Sequence, residues 1–191
     1  MNRRTWNLAA LSCALGLMAC GTGASSSGTV HGFELDASDG ITLVESDAVS
    51  SELFVYLSSR GDFCAKTQAE TSLNGSKLLA LGLAIVDLNG NAVAPDVAGR
   101  YEIEPQFGYA PGAKVVQAVF IDIEPCTKLT SYPAVHGVVD LQHVEVKDGK
   151  PVKVRGTFDL RFDGNPEGHL TGSFGVEQCT GGGLVVRHLC G

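Results

Sequence analysis

The chain has 191 residues, of which 44% are hydrophobic, and a formal net charge of −7 at pH 7. This length suits one domain of ordinary size that can bury a substantial core. The acidic balance argues against nucleic acid as a partner and against adsorption to anionic lipid, because both need clustered Lys and Arg.

The first twenty residues have the pattern of an export signal. Asn2-Arg3-Arg4 is a short basic start, and residues 8–18 are almost all apolar. A basic start and an apolar stretch of about 7–15 residues are typical of a secretory signal. The stretch is shorter than the roughly 20 residues that a membrane span needs. The sequence therefore predicts an exported chain with a signal peptide at residues 1–19.

A second pattern surrounds Cys20. Leu17-Met18-Ala19-Cys20 resembles the lipobox of bacterial lipoproteins, with Leu three positions before the cysteine and Gly21 after it. The resemblance implies that the Cys20 thiol receives a diacylglyceryl group and that the signal is cut before Cys20. Gly21 in place of Asp implies sorting to the outer membrane. The alternative is a plain signal peptide with a chance cysteine.

Residues 21–29, GTGASSSGT, contain no charged or large apolar side chain. Gly/Ser-rich chains behave as flexible coils. We therefore expect residues 20–29 to form a lipidated Cys and flexible tether, and residues 30–191 to form a single β domain. Cleavage before Cys20 would leave 12 Lys and Arg against 21 Asp and Glu, a formal charge of −9.

Alternation with a period of two predicts strands in the middle of the chain. Leu53, Val55 and Leu57 form one such face. Residues 78–86 alternate large and small side chains, which favours a strand over the competing helix. Residues 115–123 predict a strand that is covered on both sides, with its inward face at four positions. These positions are Val115, Val119, Ile121 and Ile123.

The last third predicts a meander of three strands over residues 138–176. Asp148-Gly149 suits a tight hairpin, since both positions accept positive φ, and residues 163–166 form the next turn. We therefore predict an all-β fold, an antiparallel β-sandwich or flattened barrel of about eight or nine strands. Residues 156–179 are similar to the C-terminal hairpin of various uncharacterised bacterial lipoproteins with β-sandwich bodies. That resemblance implies no activity.

Four cysteines other than Cys20 belong to the predicted mature chain. An even number in an exported chain predicts two disulfides, for which three connectivities exist. We favour the pairing of Cys64 with Cys126 and of Cys179 with Cys190, because the second bond would hold the short C-terminal end in place. The alternative is a metal site formed by Cys179, His188 and Cys190, but no CxxC spacing supports it. The four are Cys64, Cys126, Cys179 and Cys190.

No local motif predicts a metal or zinc-hydrolase site. Asp87, Asn89 and Asn91 alternate like the oxygen ligands of a calcium loop, but Ala92 and Ala98 stand where that loop needs Gly and Glu. A hairpin turn at Asn89-Gly90 is the simpler interpretation. The histidines lack the spacing of a zinc hydrolase. They are His31, His136, His143, His169 and His188.

Three other features have weak catalytic or binding interpretations. Residues 172–175, GSFG, lack the strand-to-helix turn that a nucleophile elbow needs. Asp122 and Glu124 share a strand face and more simply mark a strand end. Aromatic residues beside prolines suggest recognition loops, or caps on the ends of the core. They are Tyr101, Phe107, Tyr109 and Tyr132.

These observations predict a membrane-anchored envelope lipoprotein that acts as a non-enzymatic binding or structural module. Its expected partners are the membrane, through the lipid, and an envelope protein or glycan. No catalytic residue and no cofactor is predicted. The alternatives are a lipid-anchored hydrolase with a site assembled from loops and a carrier of a small apolar ligand. A filled core favours the first function, a His-carboxylate cleft the second, and an open apolar cavity the third.

Overall fold

Alternating apolar residues form strands over most of the chain in the computed structural model, which describes residues 23–69, 73–103, 110–124, 129–164 and 167–180. One short helix, α1 (Phe63–Gln68), interrupts them. The strands are β1 (Gly23–Val30), β2 (Phe33–Glu34), β3 (Asp39–Ser46), β4 (Ser51–Ser58), β5 (Lys77–Val86), β6 (Ala92–Val93), β7 (Gly99–Glu102), β8 (Lys114–Ile123), β9 (Leu129–Lys147), β10 (Lys150–Phe162) and β11 (Gly168–Glu177).

All these strands belong to one sheet, in the order β2-β1-β11-β10-β9-β7-β8-β5-β4-β3, with β6 beside β5. Every pairing between these described strands is antiparallel except that of β7 with β8. The all-β fold is therefore confirmed. The sheet is mixed rather than purely antiparallel, and its eleven strands exceed the eight or nine expected. Two of the additional strands, β2 and β6, have only two residues each, too few for a period-two pattern to show.

The sheet curls until its β3 end meets β11. Thr42 of β3 forms a parallel bridge with Gln178, and its carbonyl oxygen accepts a hydrogen bond from the Cys179 N–H at 3.2 Å. The curled sheet encloses a core to which most strands contribute. The large side chains of the predicted β4, β5, β10 and β11 faces fill it, Leu53, Leu81, Phe158, Phe162 and Phe174 among them.

Strand β8 is covered on both sides, as predicted, but the predicted inward face is wrong. The enclosed core receives Val116, Ala118 and Phe120. Ile123 belongs to a second apolar cluster on the outer side of the sheet. Because both faces of this strand are apolar, alternation alone could not tell which one points inward.

That second cluster is covered by α1, a helix that was not predicted from the sequence. Phe63 is fully buried there, against Tyr56 and Leu78 of the sheet. The Asp39 carboxylate accepts a hydrogen bond from the Phe63 N–H at 2.8 Å, which positions the start of the helix. A helix of six residues is too short to show a 3.6-residue period.

A disulfide joins Cys64 of α1 to Cys179, with the two Cα atoms 5.5 Å apart. The favoured pairing of Cys64 with Cys126 and of Cys179 with Cys190 is therefore wrong. The curl of the sheet brings the end of β11 beneath α1, a contact between residues 115 positions apart that spacing could not reveal. Cys126 and Cys190 lie outside the described residues.

The flexible tether is also wrong for residues 23–29, because they form β1. Gly23 to Thr29 pair with Gly175 to His169 of β11. The Ser25 and Ser173 hydroxyls are 2.9 Å apart, and Ser26 Oγ accepts a hydrogen bond from the Ala37 N–H at 2.8 Å. The strand pairing therefore extends back to Gly23, because backbone hydrogen bonds to β11 order a segment whose composition is that of a coil.

Small residues in the sheet make room for aromatic rings on the next strand. Phe158 of β10 pairs with Gly172 of β11, and Phe174 pairs with Gly156. A Cβ at Gly172 would lie 2.5 Å from the Phe158 ring and overlap the carbonyl oxygen of Ser25. These rings fill the space that the missing side chains leave, as aromatic residues do beside strand glycines.

Candidate functional site

Three hairpin turns meet at one end of the curled sheet and surround a cleft, which we call the mouth. The turns join β3 to β4, β5 to β6 and β9 to β10, and the cleft has a volume of about 430 Å³. The open end of a curled sheet is a common place for a ligand site. The lining is Val44, Ser46, Ser51, Ile85, Asp87, Val93, Ala94, Asp96, Gly149, Lys150 and Pro151.

Aspartates shape two of these turns. Asp87 Oδ1 accepts hydrogen bonds from the N–H groups of Asn89 at 2.7 Å and Asn91 at 2.8 Å. The Asn91 bond is the main cause that lowers the pKa of Asp87. Asp47 similarly accepts the N–H groups of Val49 and Ser50, which lower its pKa. Because the Asp87 carboxylate accepts hydrogen bonds from N–H groups of its own turn, residues 87–91 are better described as a hairpin turn than as a calcium loop.

The third turn matches its prediction. Asp148 and Gly149 both have positive φ, 52° and 74°, as a two-residue hairpin turn requires. Lys150 and Pro151, directly after this turn, line the mouth. The turn therefore brings a cation to a cleft that Asp87 and Asp96 also line.

Apolar side chains crowd the rim of the mouth. Leu88 is 89% exposed and Val49 is 70% exposed, each in a hairpin turn. Of seven exposed large hydrophobic side chains among the described residues, five lie at this end of the sheet. These five are Val49, Leu88, Val93, Val97 and Val146.

The mouth was not predicted from the sequence, because its lining comes from segments that are distant along the chain. A signal was nevertheless present in two of its turns. Each has an exposed apolar residue, Val49 or Leu88, directly inside an aspartate-capped loop. Because single exposed apolar side chains are common on protein surfaces, this signal is too weak to predict a site by itself.

Below the mouth, Tyr101 is fully buried in the core, so it caps the core and is not a recognition residue. Burial, with the nearby Asp96 charge, raises the pKa of Tyr101 to about 12. Tyr132 is half-buried and stacks on the His31 ring, with centroids 4.3 Å apart. The other two aromatics of that group, Phe107 and Tyr109, lie outside the described residues.

The described histidines and carboxylates do not converge in a cleft. In residues 23–180, apart from the gaps, no three His, Cys, Asp or Glu side chains lie close enough to hold a metal ion. His169 Nε2 lies 2.8 Å from Asp159 Oδ1, but both side chains are exposed on a strand surface. His136 and His143 are exposed on β9. The predicted signal, Cys20 and His188 lie outside the described residues.

The two remaining candidates, the Asp122–Glu124 pair and residues 172–175, lie at or within strands. Asp122 is buried near the end of β8, and Glu124 follows that strand directly, in agreement with a strand end. Residues 172–175 lie in the middle of β11 and make no turn. They therefore form no nucleophile elbow.

A second surface, which we call the polar wall, consists of the outward side chains of β1, β11, β10, β9 and β7. One row across it contains Thr29, His169, Arg161 and His136. Three ion pairs lie on it: Lys153 of β10 with Glu177 of β11, Arg161 of β10 with Glu167 just before β11, and Arg100 with Glu102 within β7. The wall is therefore hydrophilic, in contrast to the apolar rim of the mouth.

No known family matches this chain. The comparison with protein-family models found no match, and neither the curated proteins nor the solved structures contain a significantly similar one. Of the described residues, no helix is long and apolar enough to cross a bilayer.

Proposed function

We propose that the protein is an exported, lipid-anchored envelope protein whose β body is a non-enzymatic binding module. The observation that carries the proposal is the Cys64–Cys179 disulfide, because such bonds persist in oxidising compartments outside the cytoplasm. The described strands begin at Gly23, so cleavage before Cys20 would remove none of them. The lipobox-like residues 17–20 then supply the anchor.

Binding, rather than transport or catalysis, is supported by the interior. Side chains from most of the strands fill the curled sheet in one continuous cluster. A carrier that encloses an apolar ligand needs that space for the ligand. The described His–carboxylate pair, His169 with Asp159, is exposed on a strand surface, whereas a hydrolase of the kind considered needs such groups together in a cleft.

The Cys20→Ser variant tests the anchor. We expect it to lose incorporation of labelled fatty acid and to move from the membrane to the soluble fraction, since the thiol that carries the diacylglyceryl group is gone. Label retained in Cys20→Ser would contradict the proposal.

The matched control for this test is Thr22→Ser. It exchanges one hydroxyl side chain for another two positions after the cysteine and leaves the thiol in place. Its fatty-acid label and its membrane fraction should equal those of the wild-type protein. Loss of label in both variants would show that the substitutions disturb export rather than the site of acylation.

The mouth supports a second candidate function, the binding of a small and largely apolar molecule. Its volume of about 430 Å³ and its lining of Val44, Ile85 and Val93 suit such a ligand. Asp96 and Lys150 are charged groups at the mouth that could orient it.

A charge placed in the mouth tests this candidate. We expect Val93→Glu to weaken binding of an uncharged apolar dye about tenfold or more, because the ligand would have to desolvate the new carboxylate. Val135→Glu is the matched control, since Val135 is similarly exposed on β9 but does not line the mouth. Fluorescence titration measures both affinities. Equal loss in the two variants would contradict a site at the mouth.

A further inference from the structure

We propose that the mature protein lies on its membrane with the polar wall against the lipid headgroups and its acidic remainder turned away. This inference rests on the proposed anchoring at Cys20. Two independent observations carry it, the place where the anchored strand joins the sheet and the distribution of charge around the molecule.

The anchored strand belongs to the wall itself. Gly23 begins β1 and pairs with Gly175 of β11, which in turn pairs with Arg155 of β10. Cys20 is three residues before Gly23, and three residues span at most about 11 Å. Because β1 is paired with β11 from Gly23 onward, the lipid must enter the bilayer within about 11 Å of Gly23, at the end of the wall nearer the mouth.

Charge separates the wall from the rest of the protein. The strands of the wall carry six Lys and Arg against five Asp and Glu, with Glu167 at the edge of the wall as a sixth carboxylate, while the other described residues carry four against thirteen. Three histidines also lie on these strands. The basic residues of these strands are Arg100, Lys147, Lys150, Lys153, Arg155 and Arg161, of which Lys150 lines the mouth.

An anionic membrane surface attracts basic residues and repels carboxylates within about one Debye length, roughly 10 Å at ordinary salt. The whole chain is too acidic to adsorb by charge alone, so the lipid supplies the attachment. Once the body is held within that distance, the acidic remainder is repelled and the near-neutral wall is not. The orientation of lowest free energy therefore presents the wall to the phosphates.

The surface chemistry of the wall suits headgroups rather than acyl chains. On β1, the outward positions are Ser25, Ser27 and Thr29, and all three are exposed. Hydroxyls and paired charges can exchange their water for headgroup oxygens without burying apolar surface. The apolar rim of the mouth offers a different orientation, in which Leu88 and Val49 enter the membrane, and the experiment must separate the two.

Tryptophan reporters can map the orientation. The single Trp of the sequence is Trp6, within the predicted signal, so the mature chain contains none. Reporters replace exposed residues on three surfaces: Ser173→Trp on the wall, Leu88→Trp at the mouth and Ala65→Trp on α1. A headgroup spin label in the vesicles then quenches the fluorescence of whichever Trp lies nearby.

The protein is attached to these vesicles through the Cys20 thiol. Residues 20–191 are coupled to a maleimide phospholipid in phosphatidylcholine–phosphatidylglycerol vesicles. Cys126→Ser and Cys190→Ser are included, which directs the maleimide to Cys20 because Cys64 and Cys179 are bonded to each other.

We expect the Ser173→Trp reporter to be quenched roughly twofold or more above the other two, because quenching requires close approach to the headgroups and the anionic surface holds the wall there. Strongest quenching at Leu88→Trp would overturn the proposal in favour of a mouth-down orientation. Strongest quenching at Ala65→Trp, or equal quenching at all three positions, would overturn it as well.

Charge reversals test the cause. Lys153→Glu with Arg155→Glu should abolish the excess quenching at Ser173→Trp, because the wall then becomes acidic. Arg60→Glu with Lys66→Glu changes the net charge equally on the α1 side and should leave the excess in place. Equal effects of the two pairs would contradict orientation by local charge.

The coupling keeps this test separate from the proposed function. The maleimide lipid supplies the anchor chemically, so the orientation is measured whether or not cells acylate Cys20. Failure of the anchor shows as fatty-acid label that persists in Cys20→Ser, whereas failure of the orientation shows as quenching at the wrong surface.

Discussion

Replacement of both Cys64 and Cys179 by alanine is expected to lower the free energy of unfolding by about 4–5 kcal/mol, because a cross-link across a loop of roughly a hundred residues restricts the unfolded chain by about that amount. The bond joins residues 115 positions apart. It also holds α1 over the point where β3 meets the end of β11, so its loss weakens the closure of the sheet.

Equilibrium unfolding in denaturant measures this effect, with the wild-type protein under reducing conditions as the matched control. When both are kept under reducing conditions, the wild-type protein and the double variant should have similar midpoints. Denatured but unreduced wild-type protein should show no free thiol apart from Cys20 if Cys126 and Cys190 pair with each other. A double variant as stable as the oxidised wild type would contradict a structural role for the bond.

Gly172→Ala is expected to destabilise the protein by about 3 kcal/mol or more, at the upper end of the usual range for overpacking. The added Cβ would overlap the carbonyl oxygen of Ser25 and lie 2.5 Å from Phe158 Cζ. The backbone of β1 cannot move away without loss of its pairing with β11. The new methyl group therefore forces β1 and β11 apart or displaces a core ring.

Gly82→Ala is the matched control for this prediction. Gly82 also lies within a strand and faces a phenylalanine on the neighbouring strand, but its added Cβ would lie 3.1 Å from the Phe54 ring and farther from other atoms. Since Gly weakens strands, the control should change stability by less than about 1 kcal/mol in either direction. Thermal or denaturant unfolding compares the two, and similar losses would contradict the proposed clash.

The strands with one apolar face were predictable, because period-two alternation is a local property. Leu53, Val55 and Leu57 are buried in the core, and Phe158, Leu160 and Phe162 are as well. The Asp148-Gly149 turn was predictable because its backbone needs residues that accept positive φ. In β8 the alternation could not assign the faces, since both are apolar and a second cluster covers the outer one.

The Gly/Ser-rich composition of residues 23–29 predicted a flexible tether, whereas these residues form β1. Glycine and serine side chains contribute little burial, so nothing within residues 23–29 favours a strand over a coil. The free edge of β11 supplies the hydrogen-bond partners, and that edge is formed by residues 168–177, far along the chain. The position of Gly23 next to β11 follows from this pairing and could not be predicted from the N-terminal segment.

The all-β class and the hairpin turns could be predicted because each depends on neighbouring residues and their local conformational preferences. The export pattern of residues 1–20 is also local, and export stays a prediction. The pairing of Cys64 with Cys179, the strand at β1 and the meeting of distant segments at the mouth needed the three-dimensional arrangement. The physical reason is the curl of the sheet, which brings residues together by packing and hydrogen bonds across long stretches of chain.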